Sequence, residues 1–220
     1  MRPNVADTLR TNRWFFVPYA LLLLAGGALL LLVPKRELFT FVNGRYSDFG
    51  DWLFAYGTFL GDGLFVLLLT LLLLLVHYGR AALVAASFLF SGLLSVVLKN
   101  LFNRPRPKLY FADEPDVVRL VEGVSVHGHY SFPSGHTITA FACFAMLALV
   151  SRPKSLGILW LLTACGVAYS RMYLAQHFFE DVFVGSMIGT ACALLIHHLY
   201  ERHRAGRGWA WTERSLRRRA

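Results

Sequence analysis

The chain has 220 residues, of which 56% are apolar and only 16% are charged, and its mean hydropathy is +0.50. Soluble domains carry about 45–50% apolar and about 25% charged residues, so this composition excludes a disordered chain and argues against a soluble globule. The formal net charge is +9 at pH 7. In a soluble protein that charge would suggest nucleic acid, but in an apolar chain it is first a signal of membrane topology.

Six apolar segments approach the length of about 20 residues that a membrane-spanning helix needs. They are predicted at 14–33, 63–78, 81–98, 137–150, 156–169 and 182–199. The second is expected to begin earlier, near Trp52, and the fourth and fifth are short. Polar ends that face a shared site would explain the short ones, because polar groups persist at membrane depth only inside protein or a wet cavity. The sequence therefore predicts an all-α, six-span transmembrane helical bundle.

The segment 37–62, between the first two spans, is too polar to cross a membrane and is rich in aromatic residues. They are Phe39, Phe41, Tyr46, Phe49, Trp52, Phe54, Tyr56 and Phe59. Aromatic rings favour the headgroup zone, so an interfacial helix with a loop is predicted between spans one and two. An aromatic anchor is the preferred interpretation. The alternative is one wall of a port through which lipid reaches a site.

Most basic residues fall on one side of the predicted bundle. They occupy both chain ends and two turns: Arg2, Arg10 and Arg13; Arg80; Arg152 and Lys154; and the arginines at 202, 204, 207, 214, 217, 218 and 219. Because basic stretches are retained in the cytoplasm, both termini are predicted to be cytoplasmic. The chain then divides into a cytoplasmic N-terminus at 1–13, a six-span domain at 14–200 and a basic cytoplasmic tail at 201–220.

Three polar clusters lie at the predicted outward ends of spans three to six. The first ends the third span and contains Lys99, Arg106 and Pro107; the second is Pro133-Ser134-Gly135-His136; the third contains Ser170, Arg171, His177 and Asp181. Three cations on the side that the positive-inside rule disfavours need an anionic partner. Without a carboxylate cluster at metal-ligand spacing to supply one, a phosphate ligand is the better interpretation.

The third cluster has the spacing of an activated nucleophile. His177 and Asp181 are four residues apart, and residues at that spacing share one face of a helix. The carboxylate can then accept from one imidazole nitrogen and leave the other as a neutral nucleophile. Arg171 precedes them, and its planar guanidinium suits phosphate oxygens. Taken alone, a His–Asp pair at a helix start is more often a structural or capping pair.

The second cluster opens the fourth span and has the character of an anion site. A helix N-terminus offers free N–H groups and partial positive charge, and glycine allows a ligand to approach the backbone. Ser134 adds a hydroxyl donor, and His136 could give a proton to a leaving oxygen. The alternative is a simple turn. The first cluster also has a simpler interpretation, in which Lys99 extends its ammonium to the membrane interface without binding a ligand and Arg106 is a rigid loop residue.

Taken together, the clusters resemble the signature of the type 2 phosphatidic acid phosphatase family. The pattern is a lysine followed after six residues by Arg-Pro, then Pro-Ser-Gly-His, then Ser-Arg, a histidine six residues after the arginine and an aspartate four residues later. Every fixed position is matched in order within 99–181. Soluble acid phosphatases and vanadium haloperoxidases share this site, but the apolar spans favour the membrane lipid phosphatase branch.

The resemblance implies roles for the matched residues. His177 would attack phosphorus, Asp181 would orient His177, and His136 would protonate the leaving group and later activate water. The phosphoryl oxygens would be held by Lys99, Arg106, Ser134, Gly135 and Arg171. The resemblance implies no metal and no other cofactor, because fixed cations stabilise the transition-state charge.

The expected function is hydrolysis of a lipid phosphomonoester or diphosphate, either undecaprenyl diphosphate or a glycerophospholipid phosphate. The expected location is the bacterial inner membrane, with the site facing outward. The expected partners are a lipid phosphate substrate and membrane lipids, with no nucleic acid. The sequence does not predict an oligomeric state. A lipid phosphotransferase with the same site and a non-catalytic six-span anion transporter are the alternatives. His127 and His129 are expected to be polar loop residues, since no third ligand at metal spacing accompanies them.

Overall fold

The computed structural model describes residues 4–207 together with residues 214 and 216. Residues 1–3 and most of the predicted basic tail, namely 208–213, 215 and 217–220, lie outside the described residues. Within the described part the regular structure is entirely helical. The helices are α1 (Val5–Thr11), α2 (Arg13–Leu32), α3 (Lys35–Asn43), α4 (Asp48–Gly57), α5 (Gly63–Val76), α6 (Tyr78–Phe102), α7 (Pro107–Tyr110), α8 (Gly135–Val150), α9 (Leu156–Tyr173) and α10 (Phe179–Arg207). The predicted all-α fold is confirmed.

Several helices are long and apolar enough to cross a membrane. By length and composition these are α2, α6, α9 and α10. Their outward faces are rich in exposed leucine, as in Leu24 and Leu31 of α2, which are 73% and 87% exposed. Apolar side chains in such numbers require a non-aqueous surrounding. The chain is therefore a multi-pass membrane protein.

The second predicted span is a bent pair of helices rather than one helix that begins near Trp52. The stretch Asp48–Gly61, which is α4 followed by a 3₁₀ turn, meets α5 at an angle of 58°. The break falls at Asp62, whose extended backbone ends one helix while its carboxylate accepts from Leu64 N at 2.8 Å and caps the next. Counted as one crossing, the pair makes a fifth span.

The interfacial segment predicted at 37–62 contains two helices, α3 and α4, rather than one. Trp52 and Tyr56 of α4 are exposed. Phe39 and Phe54 instead pack inward, Phe39 against Phe111 and Phe54 against Tyr173. The aromatic residues of this segment therefore divide between the protein interior and the surface.

The centre of the bundle is α8, which has 16 residues. Every residue from Thr137 to Leu149 is buried, because α6, α9 and α10 surround the helix. Alanines at 140, 142, 145 and 148 allow this close approach. The helix is shorter than the other candidate spans, so a total of six crossings stays a prediction.

Helix direction sorts the polar residues between the two ends of the bundle. At one end α6 and α9 finish while α8 and α10 begin, and this end carries the three polar clusters. At the other end α6 begins close to the end of α8, the end of α10 and α1. The first end is termed the histidine end and the second the arginine end.

Candidate active site

A buried histidine and aspartate form the centre of the histidine end. His177 and Asp181 are each 1% exposed, and His177 Nδ1 lies 3.4 Å from Asp181 Oδ2. Ser131 Oγ donates to the same carboxylate oxygen and also lies 3.4 Å from His177 Nδ1. These contacts hold the Nδ1 side of the ring and leave Nε2 on the opposite side.

The structure brings His177 and Asp181 together, but the predicted placement of His177 on a helix with Asp181 is wrong. His177 lies in the connection 174–178, and α10 begins only at Phe179. The turn is held by Arg171, whose carbonyl accepts from Gln176 N at 2.9 Å and from His177 N at 3.2 Å. Asp181 then bends back, so that its Oδ2 accepts from Phe178 N at 2.9 Å. A carboxylate that receives the first free N–H groups of a helix brings the two side chains together.

Two buried arginines border the histidine. Arg106 and Arg171 are each 7% exposed. Arg106 Nε donates to His129 O at 3.0 Å, and its Nη1 donates to Gln176 Oε1. Both acceptors are neutral, so these contacts fix the direction of the guanidinium while its positive charge remains available to an anion.

Arg171 is also anchored on a neutral acceptor. Its Nη1 donates to Thr58 Oγ1 at 2.8 Å, whereas its Nε is buried without a hydrogen-bond partner among the described residues. An unsatisfied buried donor on a cation costs free energy unless a ligand meets it. The arrangement of Arg171 therefore fits an incoming anion.

The N-terminus of α8 lies against this group. No side chain caps the helix, so the first-turn N–H groups are available to an anion. Ser134 is tied to α10, since its N donates to Asp181 O at 3.0 Å, and its hydroxyl accepts from Thr137 Oγ1. Its hydroxyl hydrogen is thereby free to point toward a ligand.

Lys99 completes the positive group. A methyl group built on Gly135 would lie 3.2 Å from Lys99 Nζ, so the ammonium lies against the first residue of α8. Lys99, Arg106 and Arg171 therefore converge on the uncapped N-terminus of α8. The structure brings together all the residues of the three sequence clusters that were predicted to bind phosphate.

His136 lies in the first turn of α8, at the more open edge of the group. Its side chain is 33% exposed, and its Nε2 lies 3.7 Å from Asp62 Oδ2. Gly61 makes this possible, because a methyl group there would lie 2.8 Å from the carbonyl oxygen of His136. The break between α4 and α5 thus places the carboxylate of Asp62 beside His136.

The electrostatic setting keeps His177 neutral. Burial and the positive charges of Arg106, Arg171 and Lys99 hold the pKa of His177 well below its usual value of 6.5. The imidazole therefore keeps a lone pair at neutral pH. A buried neutral histidine among fixed cations has the properties of a nucleophile for an anionic electrophile.

Sequence reasoning missed four residues of this group: Thr58, Asp62, Ser131 and Gln176. An aspartate before a glycine, as in Asp62-Gly63, is a common helix start, and Gln176 is adjacent to His177. Neither pattern indicates which side chain Asp62 or Gln176 will contact. His127 and His129 lie in an exposed loop, and His129 takes part through its carbonyl. In the described residues no three His, Cys, Asp or Glu side chains are grouped as metal ligands.

Comparisons with known proteins find relatives that are named as lipid phosphatases. Lipid phosphate phosphatase 1 of Arabidopsis thaliana is 34% identical over 136 residues, which are 51% of this chain and 42% of the plant protein. The chain spans half or less of the first curated relatives that it matches. A lipid A 4'-phosphatase of Bacteroides thetaiotaomicron is 28% identical over 160 residues, which are 70% of this chain and 71% of that protein.

A solved structure and a family model extend the likeness beyond the motifs. The crystal structure of Aquifex aeolicus LpxE superposes with a TM-score of 0.65 and 28% identity, covering 73% of this chain and 93% of that one. The family model of the PAP2 superfamily matches residues 80–205. That match takes in all three polar clusters and more than half of the sequence, so the chain belongs to the PAP2 superfamily.

Proposed function

We propose that this protein is an integral-membrane lipid phosphatase that works through a phosphohistidine intermediate. The observation that carries the proposal is the convergence of the buried His177–Asp181 pair with Lys99, Arg106 and Arg171 at one end of an apolar helical bundle. Relatives named as lipid phosphatases support a lipid as the carrier of the phosphate. Residues 14–200 form the catalytic domain in this proposal.

In the first step, Nε2 of His177 attacks the terminal phosphorus atom while the bond from that phosphorus to the leaving oxygen breaks; this is the lipid oxygen in a monoester and the bridging oxygen in a diphosphate. Asp181 accepts from Nδ1 and stabilises the positive charge that develops on the ring. His136, protonated at this stage, gives its proton to the leaving oxygen. The products are a phosphohistidine and either the lipid alcohol or, from a diphosphate, the lipid monophosphate.

In the second step, His136 takes a proton from water, and the resulting hydroxide attacks the phosphohistidine. The P–N bond breaks, inorganic phosphate leaves, and His177 is regenerated. Asp62 lies 3.7 Å from His136 Nε2, and its negative charge together with that of the bound phosphate offsets the neighbouring cations. One histidine thus serves as acid and then as base.

The phosphoryl oxygens are held by groups whose positions are fixed before substrate binds. Arg106 and Arg171 face them with guanidinium groups that are anchored on neutral acceptors, and Lys99 adds a third positive charge. The N–H groups at Gly135 and the hydroxyl of Ser134 complete the cradle. Such fixed donors stabilise charge in the transition state without reorganisation.

The substrate proposed is undecaprenyl diphosphate or a glycerophospholipid phosphate. With both termini in the cytoplasm, the histidine end faces the outer side of the bacterial inner membrane. The substrate then diffuses laterally in the leaflet and enters between helices. The exposed aromatic residues of α4, such as Trp52 and Tyr56, border that route at headgroup level.

Purified protein in detergent is expected to release phosphate from a lipid phosphate with a chelator such as EDTA present. The panel comprises undecaprenyl diphosphate, phosphatidylglycerophosphate, phosphatidate and a lipid A phosphate. Because the cations that hold phosphate are side chains, chelation should leave the rate unchanged. Free phosphate is the measurement, with a heat-inactivated sample as the control.

Three results of that assay would contradict the proposal. Failure to release phosphate from every lipid would favour an anion transporter, and transfer of the phosphoryl group to an added alcohol without free phosphate would favour a phosphotransferase. Loss of activity on chelation, restored by one divalent metal, would remove the metal-independent mechanism. These measurements therefore distinguish a phosphatase from a phosphotransferase and from an anion transporter.

The ring of His177 is expected to stay neutral as the pH falls through 6.5, its ordinary pKa. A lowered pKa means that protonation, which would block nucleophilic attack, occurs only at more acidic pH. NMR of histidine-labelled protein measures this titration, and the His177→Gln variant identifies the signal. A ring that titrates at or above pH 6.5 would contradict the proposed electrostatic setting.

A further inference from the structure

The arginine end of the bundle contains a second polar cavity that the proposed reaction does not use. Its volume is about 920 Å³, and it is an open cavity bordered by α1, the start of α6, the turn between α8 and α9, and the end of α10. Its charged lining comprises Arg80, Arg152, Lys154 and Arg204 with Asp7 and Glu201. Cationic side chains thus outnumber carboxylates in a concave site.

Among the residues that the structure describes, three of these cations have no carboxylate within salt-bridge distance. Glu201 lies 3.7 Å from Arg204, so that pair is largely matched within α10. Arg80, Arg152 and Lys154 form no salt bridge with the residues described by the structure. They converge from two elements, the first turn of α6 and the turn at 151–155.

The proximity of the three cations has an electrostatic consequence. Burial and the positive charges of Arg152 and Arg80 lower the pKa of Lys154. Lys154 is also held in place, because its Nζ donates to Leu149 O at 2.7 Å. The turn therefore fixes a cation beside two others, and an anion in the cavity would relieve their repulsion.

The surroundings of the cavity favour a lipid over a free ion. The site lies where apolar helices end, which is the level of the headgroups in a bilayer. Leu83, Leu149 and Val150 line its wall beside the cations. Basic pockets between helix ends, next to apolar surface, bind anionic headgroups in membrane proteins.

We propose that this cavity binds the phosphate group of an anionic membrane phospholipid, at the end of the bundle opposite the catalytic histidines. Arg80 and Arg152 hold the phosphate oxygens, and Lys154 adds charge from the turn. The bound lipid joins α6 to the α8–α9 turn and α10. This site is independent of the proposed phosphatase activity, since it shares no residue with it.

The test measures phosphatidylglycerol binding by native mass spectrometry of detergent-purified protein. All samples carry His177→Ala, so that no lipid is hydrolysed. Arg80→Ala/Arg152→Ala is expected to weaken binding by about tenfold or more. The matched control is Arg10→Ala/Arg202→Ala, which removes the same charge from exposed positions at this end outside the cavity lining and should change the affinity by less than about twofold.

Three results would overturn the proposal. Equal losses in both double variants would mean a diffuse surface attraction and would overturn the site, as would unchanged binding in Arg80→Ala/Arg152→Ala. Inorganic phosphate that displaces the lipid at equal concentration would overturn the assignment to a lipid. Arg152→Ala, in an exposed turn, gives a second variant that should fold normally and lose about fivefold in affinity.

Discussion

His177→Ala is expected to lower the rate of phosphate release by about 10⁴-fold or more, because it removes the atom that forms the bond to phosphorus. The remaining cations would still bind the lipid phosphate, so the Kd for substrate should change little. The measurement combines initial rates with substrate binding. Quenching with alkali, which preserves phosphohistidine, should trap labelled phosphate on the unmodified protein and none on the variant.

The control for this variant is His127→Ala. His127 is an exposed loop residue in the same region of the chain and should retain full activity. Because His177 is fully buried, its truncation leaves a cavity, so thermal unfolding must show that the variant is folded. His177→Gln fills more of that space and should be equally inactive. Activity above a tenth of the original rate in a folded His177 variant would remove the proposed nucleophile.

The sequence was sufficient for those features that depend on local pattern. Apolar run length predicted the all-helical membrane fold, and motif spacing predicted that Lys99, Arg106 and Arg171 would converge near the Pro-Ser-Gly-His turn. The roles of His177 and His136, suggested by spacing and by the resemblance to a known family, stay predictions. The fold and the convergence could be predicted because apolar run length sets where each helix ends, and the alternating direction of the helices then brings the three clusters to one end of the bundle.

Features that depend on contacts between distant segments could not be predicted in this way. Asp62 reaches His136 because a glycine at 61 permits close packing, and Thr58 reaches Arg171 across more than a hundred residues. Neither residue belongs to a recognisable motif. The His177–Asp181 contact was predicted for the wrong reason, since spacing suggested a helix face whereas a tight turn before α10 produces it.

Asp181→Asn is expected to lower kcat by about 10²–10⁴-fold with little change in KM. The carboxylate oxygen Oδ2 accepts from Ser131 Oγ and from Phe178 N, and it lies 3.4 Å from Nδ1 of His177. An amide oxygen in that place would keep all three contacts but would lack the negative charge that stabilises the ring during attack. An NH₂ group in that place would face Nδ1 as a donor and favour the tautomer with hydrogen on Nε2, which has no lone pair for phosphorus.

Glu180→Gln provides the matched control, because it makes the same chemical change one residue earlier. Glu180 pairs with Lys35 at 2.9 Å and with Arg104 at 3.4 Å, and its side chain is 27% exposed. Partly exposed pairs contribute about 1 kcal/mol or less, so this variant should keep most of its activity. If Asp181→Asn and Glu180→Gln lost activity equally, the loss would reflect charge at the start of α10. A loss confined to Asp181→Asn, with an unchanged unfolding temperature, would assign the effect to orientation of the His177 ring.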